Sequence, residues 1–339
     1  MKKFLTLLSL PALITGFIAC NRSSRHEPGF ANDLAFLQKY DSVIVLTTGG
    51  SRVVVSPKYQ GKVFTSTADG KQSFGWINYK AFDAPPDAHM NAYGGENRLW
   101  LGPEGNRYSL FFKKGKQQVF ENWQTPAPFD HEPWELLEAS PSSVRLLKRM
   151  HMTSYNGTDL QLTVTRNITV LDRAAIGGLL GIQIGGQIAA VAYRTENGIV
   201  NTGVAAWDSA SGAPCLWVLD MFQPSDQVTI AVPYNQRVPQ AVTPDYFGAI
   251  PASRLRTDSG VLYFRADGKQ RGKLGISPAA AGRIAGSYDA LNGVLTLVVF
   301  DLDPEAAYLN QQWGLTKPAL RGDAVNAYND GPLTDGGQL

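Results

Sequence analysis

Segments in which apolar and polar residues alternate constrain the fold of this chain more than any other feature. The clearest pair is 143–153 and 160–171, joined through Asn156-Gly157. In the second segment, leucine and valine at even positions alternate with glutamine and threonine at odd positions, which is the period of a half-buried strand. Asn-Gly favours the tight turn of a hairpin. The pair therefore predicts an antiparallel hairpin with one buried face.

Similar segments follow one another along the chain with turn residues between them. Turns are predicted at 47–50, at Lys113–Lys116 and at Asn197-Gly198. The other predicted strands are 42–46, 52–55, 62–66, 73–77, 108–112, 117–120, 188–194, 199–204, 216–221, 227–232, 261–266, 283–288 and 293–300. Because little helix separates them, the pattern predicts an all-β fold of packed antiparallel sheets rather than βαβ units.

Only one helix is expected, near the start of the folded region. Asn32 or Asp33 is suited to cap it, and 34–40 has apolar residues near helical spacing. Residues 30–339 are predicted to form a single β domain. Its end, 326–339, is rich in turn residues, so the chain either ends in a loop or lacks its native C-terminus.

The first twenty residues have the pattern of an export signal. Lys2 and Lys3 precede an apolar run, 4–17, that is too short to cross a bilayer. Ala19 followed by Cys20 is typical of a lipobox, although a cleaved signal with an incidental cysteine is the alternative. We expect 1–19 to be a signal peptide, Cys20 to be acylated, and 20–29 to be a tether. The protein would then be exported and anchored to an envelope membrane through lipid.

Charge and cysteine content exclude some partners. Without Lys2 and Lys3, 29 lysines and arginines balance 29 acidic residues, so the chain lacks the basic surplus that nucleic-acid binding requires. With Cys20 acylated, Cys215 has no disulfide partner and is expected to pack as a small apolar residue. The uncharged stretch 174–193 contains five glycines and two glutamines, which argue against a membrane span.

Candidate site residues are densest between 91 and 106. This segment combines carboxylates, an arginine, amides and a tryptophan with glycines that permit close approach of a ligand. In a strand, Glu96, Arg98 and Trp100 would share one face, with groups that can bind hydroxyls and stack on a sugar ring. A structural ion pair between Glu96 and Arg98 is the alternative. The candidates here are Asn91, Tyr93, Glu96, Arg98, Trp100 and Glu104.

A second cluster lies in the proline-rich segment 123–134, whose prolines predict a stiff loop. This loop either lines a pocket or closes the end of a sandwich. Its candidate ligand-binding residues are Trp123, His131, Glu132 and Trp134. The few histidines lack metal-ligand spacing, so neither a metal site nor a cofactor is predicted.

Four segments, 59–63, 73–78, 94–105 and 328–332, resemble an uncharacterised family of exported bacterial lipoproteins related to the galactose-mutarotase-like proteins. The resemblance implies an antiparallel supersandwich with a concave, carbohydrate-binding face. Asn91-Ala92-Tyr93-Gly94-Gly95 is similar to the Asn-x-His-Gly-Gly segment of the mutarotases, with Tyr93 in place of the histidine. Their second histidine motif has no counterpart, and their glutamate base lies near the C-terminus.

Three functions remain open from the sequence. The first is a carbohydrate-recognising envelope lipoprotein with a mutarotase-like cleft. Epimerase-like chemistry there would use Glu96 or Glu104 as base and Tyr93, His89 or His131 as proton donor. The second is a non-catalytic glycan-binding or structural envelope protein. The third is a glycosidase that uses two carboxylates from Glu96, Glu104 and Glu132.

Overall fold

The computed structural model describes residues 29–332. The predicted signal peptide 1–19, the acylated Cys20 and all but the last residue of the tether 20–29 lie outside the described residues. The division into signal peptide, tether and a single domain stays a prediction.

Residues 29–332 form seventeen strands and two α-helices, α1 Phe30–Leu37 and α2 Arg173–Leu180. The strands are β1 Ile44–Thr48, β2 Ser51–Ser56, β3 Lys62–Thr67, β4 Asn97–Gly102, β5 Glu135–Ala139, β6 Ser143–Thr153, β7 Asp159–Leu171, β8 Ala192–Asn201, β9 Cys215–Asp220, β10 Val228–Pro233, β11 Val242–Thr243, β12 Leu255–Asp258, β13 Val261–Arg265, β14 Gly272–Ile276, β15 Ile284–Asp289, β16 Val294–Val299 and β17 Val325–Asn329. These strands pair antiparallel in four sheets, which confirms the all-β prediction.

The sheets are named here by their position in the chain. The N-terminal sheet has the order β1-β2-β3-β4-β9, and the hairpin sheet has the order β5-β6-β7-β8. The three-stranded sheet has the order β11-β14-β17, and the C-terminal sheet has the order β12-β13-β10-β15-β16. Such layers of antiparallel sheets agree with the predicted supersandwich.

The largest core lies between the N-terminal sheet and the hairpin sheet. Along β7 every second residue is buried, and Leu162, Val164 and Ile168 pack against Leu99 and Leu101 of β4. Each such buried aliphatic side chain contributes about 1.5–3 kcal/mol of apolar burial. A second core joins the three-stranded and C-terminal sheets through Leu274, Ile276 and Phe264, among others. Leu99 and Leu101 lie on one face of β4 and Leu274 and Ile276 on one face of β14, so Arg98, Trp100 and Lys273 lie on the opposite faces.

The helices differ in part from the prediction. Helix α1 forms where expected and packs on Val54 and Phe64, but it begins after Gly29, so neither Asn32 nor Asp33 caps it. Helix α2 was not predicted. Its N-cap Asp172 accepts a hydrogen bond from the backbone N–H of Ala175 at 2.8 Å, and left-handed Gly181 ends it. The uncharged stretch 174–193 is thus a short helix, a loop and the start of β8.

Several strand predictions are wrong, and tertiary pairing explains them. Residues 73–77 make only isolated bridges, and 108–112 and 117–120 form no strand. Asn197-Gly198 is not a turn, because β8 runs through it and pairs with β7, with Gly198 opposite Thr165. The turn-rich end contains β17, which pairs with β14. The turns at 47–50 and Asn156-Gly157 are confirmed. Lys113–Lys116 forms a turn, but not the predicted hairpin, because no strands flank it.

Candidate functional site

The faces of β4 and β14 that carry Arg98 and Lys273 meet in a region that we call the cationic chamber. In the N-terminal sheet Trp100 lies opposite Trp217, and in the three-stranded sheet Lys273 lies opposite Tyr328. The Lys273 ammonium nitrogen is 5.0 Å from the centre of the Trp217 ring, which brings the two sheets together. The chamber consists of Arg98, Trp100, Glu104, Trp217, Tyr246, Arg271, Lys273, Asp323, Tyr328 and Asp330.

Arg98 is the most unusual group in the chamber. Its side chain lies against Trp100, with the guanidinium carbon 4.6 Å from the ring centre, a cation–π contact. Only 7% of the residue is exposed, yet its guanidinium forms no hydrogen bond or ion pair with a described residue, and its Nε is fully buried. Burial lowers the pKa of Arg98 to about 10, against the opposing influence of Asp130, Tyr328 and Asp330. Arg98 therefore carries hydrogen-bond donors that the described chain does not use.

Two more cations come from the three-stranded sheet. Lys273 is 6% exposed, and its ammonium lies 4.5 Å from the ring of Tyr246. It forms no ion pair within 4.0 Å among the described residues, and burial lowers its pKa although Glu104 and Asp323 oppose this. Arg271 lies over the ring of Phe247 at 4.0 Å, and its buried Nε has no partner among residues 29–332. Three cations thus converge with unused donors.

The acidic groups of the chamber, in contrast, have hydrogen-bond partners. Asp323 accepts from the Tyr246 hydroxyl at 2.7 Å and from the Thr243 hydroxyl at 3.2 Å. Asp330 accepts from the Tyr328 hydroxyl at 2.8 Å. These bonds come from neutral donors, and neither carboxylate forms an ion pair with Arg98, Arg271 or Lys273.

Glu104 is the carboxylate in the chamber that the sequence predicted. Its Oε1 accepts a hydrogen bond from the indole N–H of Trp313 at 2.9 Å. Trp123 is also near, but its buried indole N–H does not reach hydrogen-bonding geometry. Burial raises the pKa of Glu104, while the charges of Lys273 and Arg271 act in the opposite direction. A carboxyl group with a raised pKa beside a cation is suited to proton transfer.

Lys62 lies on the border of the chamber and was not a predicted site residue. It is 1% exposed, and its ammonium nitrogen lies 5.7 Å from the centre of the Tyr93 ring. Burial, and then the charge of Arg98, lower its pKa well below the usual range. Gly95 makes room for it, because a Cβ at this position would lie 2.4 Å from the Lys62 Cδ.

Glu96 does not share a face with Arg98 and Trp100, contrary to the prediction. β4 begins at Asn97, so the alternation of a strand does not extend back to Glu96. Its Oε1 accepts from the Ser66 hydroxyl at 2.7 Å, and the groups acting on it are Tyr193 and Asp220, none of which belongs to the chamber. Burial raises the pKa of Glu96 to about 7. No ion pair joins Glu96 to Arg98 among the described residues, so the alternative of a structural pair is wrong as well.

Tyr93 and Asn91 make structural contacts near the chamber. Tyr93 belongs to an aromatic group with Tyr59 and Phe82, and its pKa is raised, by burial and by Asp130, rather than lowered. A role as proton donor near neutral pH would need the opposite shift. Asn91 donates from its backbone and side chain to Asp130, at 2.9 and 2.6 Å.

The loop 123–134 contains no strand, as predicted, and its residues lie in different surroundings. Trp134 is 3% exposed, and its indole donates to the Pro128 carbonyl at 3.1 Å, so it closes the core. Trp123 stacks on Phe111 at 5.8 Å. Glu132 pairs with Lys148 at 2.6 Å near the surface, and His131 is exposed beside Asp130. Of the four predicted residues only Trp123 lies near the chamber, beside Glu104, whereas the loop residues Asp130 and Phe129, which were not predicted, lie near Arg98 and Trp100.

The carboxylates proposed for a glycosidase are not brought together. Glu96 lies with Ser66, Glu104 lies with Trp313, and Glu132 lies with Lys148. His89 bonds to the Trp123 carbonyl at 2.6 Å and stacks on Phe120. Among residues 29–332 no group of three metal-binding side chains converges, and no helix there has the length and apolarity of a membrane span.

Two surface depressions lie away from the chamber. One, of about 410 Å³, is lined by Asp172, Arg173 and Gln187, among others. The other, of about 450 Å³, is lined by Asn106, Arg107 and 315–320. Neither is lined by Arg98 or Lys273, and neither combines buried cations with aromatic rings. We therefore place the candidate site in the chamber.

Sequence reasoning missed half of the chamber. Lys273, Arg271, Trp217, Tyr246 and Asp323 have no local motif, because strand pairing assembles them. A signal did exist for Tyr328 and Asp330, which lie in a segment that carries the family resemblance.

Comparison with known proteins gives a family and two similar structures. A family described as a family of unknown function (DUF6786) matches residues 28–339. A galactose mutarotase-like protein from Lactobacillus casei is 13% identical, with a TM-score of 0.42, over 85% of this chain and 98% of that one. A protein from Escherichia coli, provisionally described as an aldose 1-epimerase, is 12% identical, with a TM-score of 0.33, over 78% and 82% of the two chains. No curated protein sequence matches. These identities are too low to transfer a ligand or an activity.

Proposed function

The chain belongs to the family of unknown function DUF6786, and we propose that its chamber around Arg98 binds a carbohydrate. The observation that carries the proposal is the buried Arg98 guanidinium, stacked on Trp100 without a hydrogen bond to any described residue. A buried cation without partners costs stability, so a binding role accounts for it better than a structural role.

The chemistry of the chamber suits a sugar. Trp100 and Trp217 present indole rings with centres 5.8 Å apart, and the adjacent tyrosine hydroxyls and carboxylates can exchange hydrogen bonds with sugar hydroxyls. Since Trp100 is only 4% exposed, the sugar would contact Trp217 and the charged groups rather than the Trp100 ring face.

A test uses the purified full-length chain and a panel of neutral and acidic monosaccharides. At a sugar concentration 100 times Kd, binding to the folded state should stabilise it by about 2.7 kcal/mol, visible as a rise in Tm. Arg98→Gln should abolish this rise, and Arg256→Gln, on an exposed arginine of β12, should retain it. If no sugar raises the Tm, or if Arg98→Gln binds with unchanged Kd, the proposal is wrong.

A second candidate function is acid–base catalysis on the bound sugar, with Glu104 as the carboxyl group. Its burial beside Lys273 and its raised pKa favour Glu104 over Glu96, whose surroundings lie outside the chamber. Polarimetry on the sugar that binds, with wild type and Glu104→Gln, separates catalysis from binding. Anomerisation above the buffer rate that Glu104→Gln removes would support it; binding without any such rate would leave a binding protein.

We further propose that the chain is exported and held at an envelope membrane by an acylated Cys20. The support is the order of residues in 1–20, and the pattern does not distinguish inner from outer membrane. A carbohydrate-binding body on a lipid tether would meet glycans of the envelope.

A further inference from the structure

The cationic chamber contains more hydrogen-bond donors than its own acceptors use. Arg98 and Lys273 are more than nine-tenths buried, and neither bonds to a described residue. The buried Nε of Arg271 is also without a partner among residues 29–332. Asp323 and Asp330 already accept hydrogen bonds from Tyr246 and Tyr328, at 2.7 and 2.8 Å. Three carboxylates, Glu104, Asp323 and Asp330, balance the three cations in charge, but none of them forms an ion pair with Arg98 or Lys273, so the donors of these two side chains are available to a ligand.

Other buried arginines of this chain show what a structural role looks like. Arg166, fully buried, donates from Nε to the Gly61 carbonyl at 3.0 Å and from a terminal nitrogen to Asn197 at 3.1 Å. Arg254 donates from both terminal nitrogens to the carboxylate of Asp267. Arg98 has no equivalent of either arrangement, so packing needs alone do not explain it.

We infer that the carbohydrate bound in the chamber carries an anionic group, and that Arg98, Arg271 and Lys273 bind this group. The inference rests on the proposed function and adds the class of ligand to it. Guanidinium groups bind carboxylate or phosphate oxygens in pairs, and an ammonium adds a point charge. Trp217, in contact with Lys273, would lie beside the bound sugar. The low dielectric around largely buried groups strengthens each charged bond.

The anionic group is either a sugar carboxylate or a sugar phosphate, because both offer the same kind of oxygen acceptor. Calorimetric titration of the purified full-length chain distinguishes them. The probes are D-galacturonate, D-glucuronate, D-galactose, D-glucose, D-galactose 6-phosphate and inorganic phosphate, each at low and high salt. The variants are Arg271→Gln and Lys273→Gln, with Arg256→Gln as the exposed control.

We expect at least one acidic sugar to bind about tenfold or more tightly than its neutral counterpart, since hydrogen bonds to charged groups are the strong ones. High salt should weaken binding of the acidic sugar and leave binding of the neutral sugar unchanged. Arg271→Gln and Lys273→Gln should each reduce the preference for the acidic over the neutral sugar about tenfold, whereas Arg256→Gln should keep this preference. The Tm of each variant shows whether it is folded. Lys273→Arg should restore part of the preference.

Each other outcome decides against the inference in a different way. Neutral sugars that bind as tightly as acidic ones would overturn the inference and leave carbohydrate binding intact. Inorganic phosphate that binds as tightly as the sugar phosphate would show an anion site without sugar recognition. If no sugar of either kind binds, the proposed function fails, and the inference fails with it.

Discussion

The ammonium nitrogen of Lys273 lies 5.0 Å from the centre of the Trp217 ring, and this contact joins two sheets that share no hydrogen-bonded strand. Trp217 is on β9 of the N-terminal sheet, and Lys273 is on β14 of the three-stranded sheet. The contact places Glu104 and the cations of both sheets in one chamber. The chamber is therefore a property of the packed sheets rather than of any segment.

Arg98 and Arg166 should respond oppositely to replacement by methionine. Arg98→Met removes a buried charge without hydrogen bonds, so stability should stay unchanged or rise by about 1 kcal/mol. Arg166→Met leaves the Gly61 carbonyl and the Asn97 and Asn197 amides without their donor, at a cost of about 3–5 kcal/mol. Urea unfolding of the two variants measures this. Equal losses for both would show that Arg98 is structural.

Trp100→Ala should destabilise the fold strongly. The ring is 4% exposed and packs on Phe111 at 5.6 Å and on Trp217 at 5.8 Å, so its removal should cost about 3–5 kcal/mol. Phe120→Ala, on a ring that is 42% exposed, is the matched control and should cost much less. A Trp100→Ala protein with wild-type Tm and lost sugar binding would instead make Trp100 a ligand contact.

Glu96 should make stability depend on pH. Its folded-state pKa is raised from 4.5 to about 7, so between these values the folded state binds more protons than the unfolded state. Stability therefore falls as pH rises from about 4.5 to about 7, by about 3 kcal/mol from this group. Glu96→Gln should remove that part of the slope, as seen in urea unfolding at several pH values. Glu138→Gln, on an exposed carboxylate, should leave the slope in place. An identical slope in wild type and Glu96→Gln would contradict the assignment.

Cys20→Ser should release the protein from the membrane fraction. Acyl chains supply the binding energy, and the remaining chain is formally neutral and supplies little. Cell fractionation and metabolic labelling with a fatty acid measure the change, and Cys215→Ser is the matched control. Unchanged fractionation of Cys20→Ser would count against the lipobox.

Sequence patterns predicted correctly the elements that depend on interactions between residues close together in the chain. The hairpin of β6 and β7 was predicted from alternation and Asn156-Gly157, since both lie within one short segment. Asn197-Gly198 has the same dipeptide but is held in β8 by pairing with β7, which no local pattern reveals. Glu96 was predicted to share a face with Arg98, but it directly precedes β4 and its side chain lies with Ser66. Lys273 and Trp217 are 56 positions apart, and only sheet packing brings them together.

A crystal structure of the protein with the sugar that binds most tightly in the calorimetric panel tests the account most directly. The account predicts electron density for the sugar in the chamber beside Trp217, with an oxygen about 3 Å from the Arg98 guanidinium and another near Lys273. Density for the sugar elsewhere, such as the depression beside Arg107 and 315–320, with Arg98 still without a partner, would contradict the account.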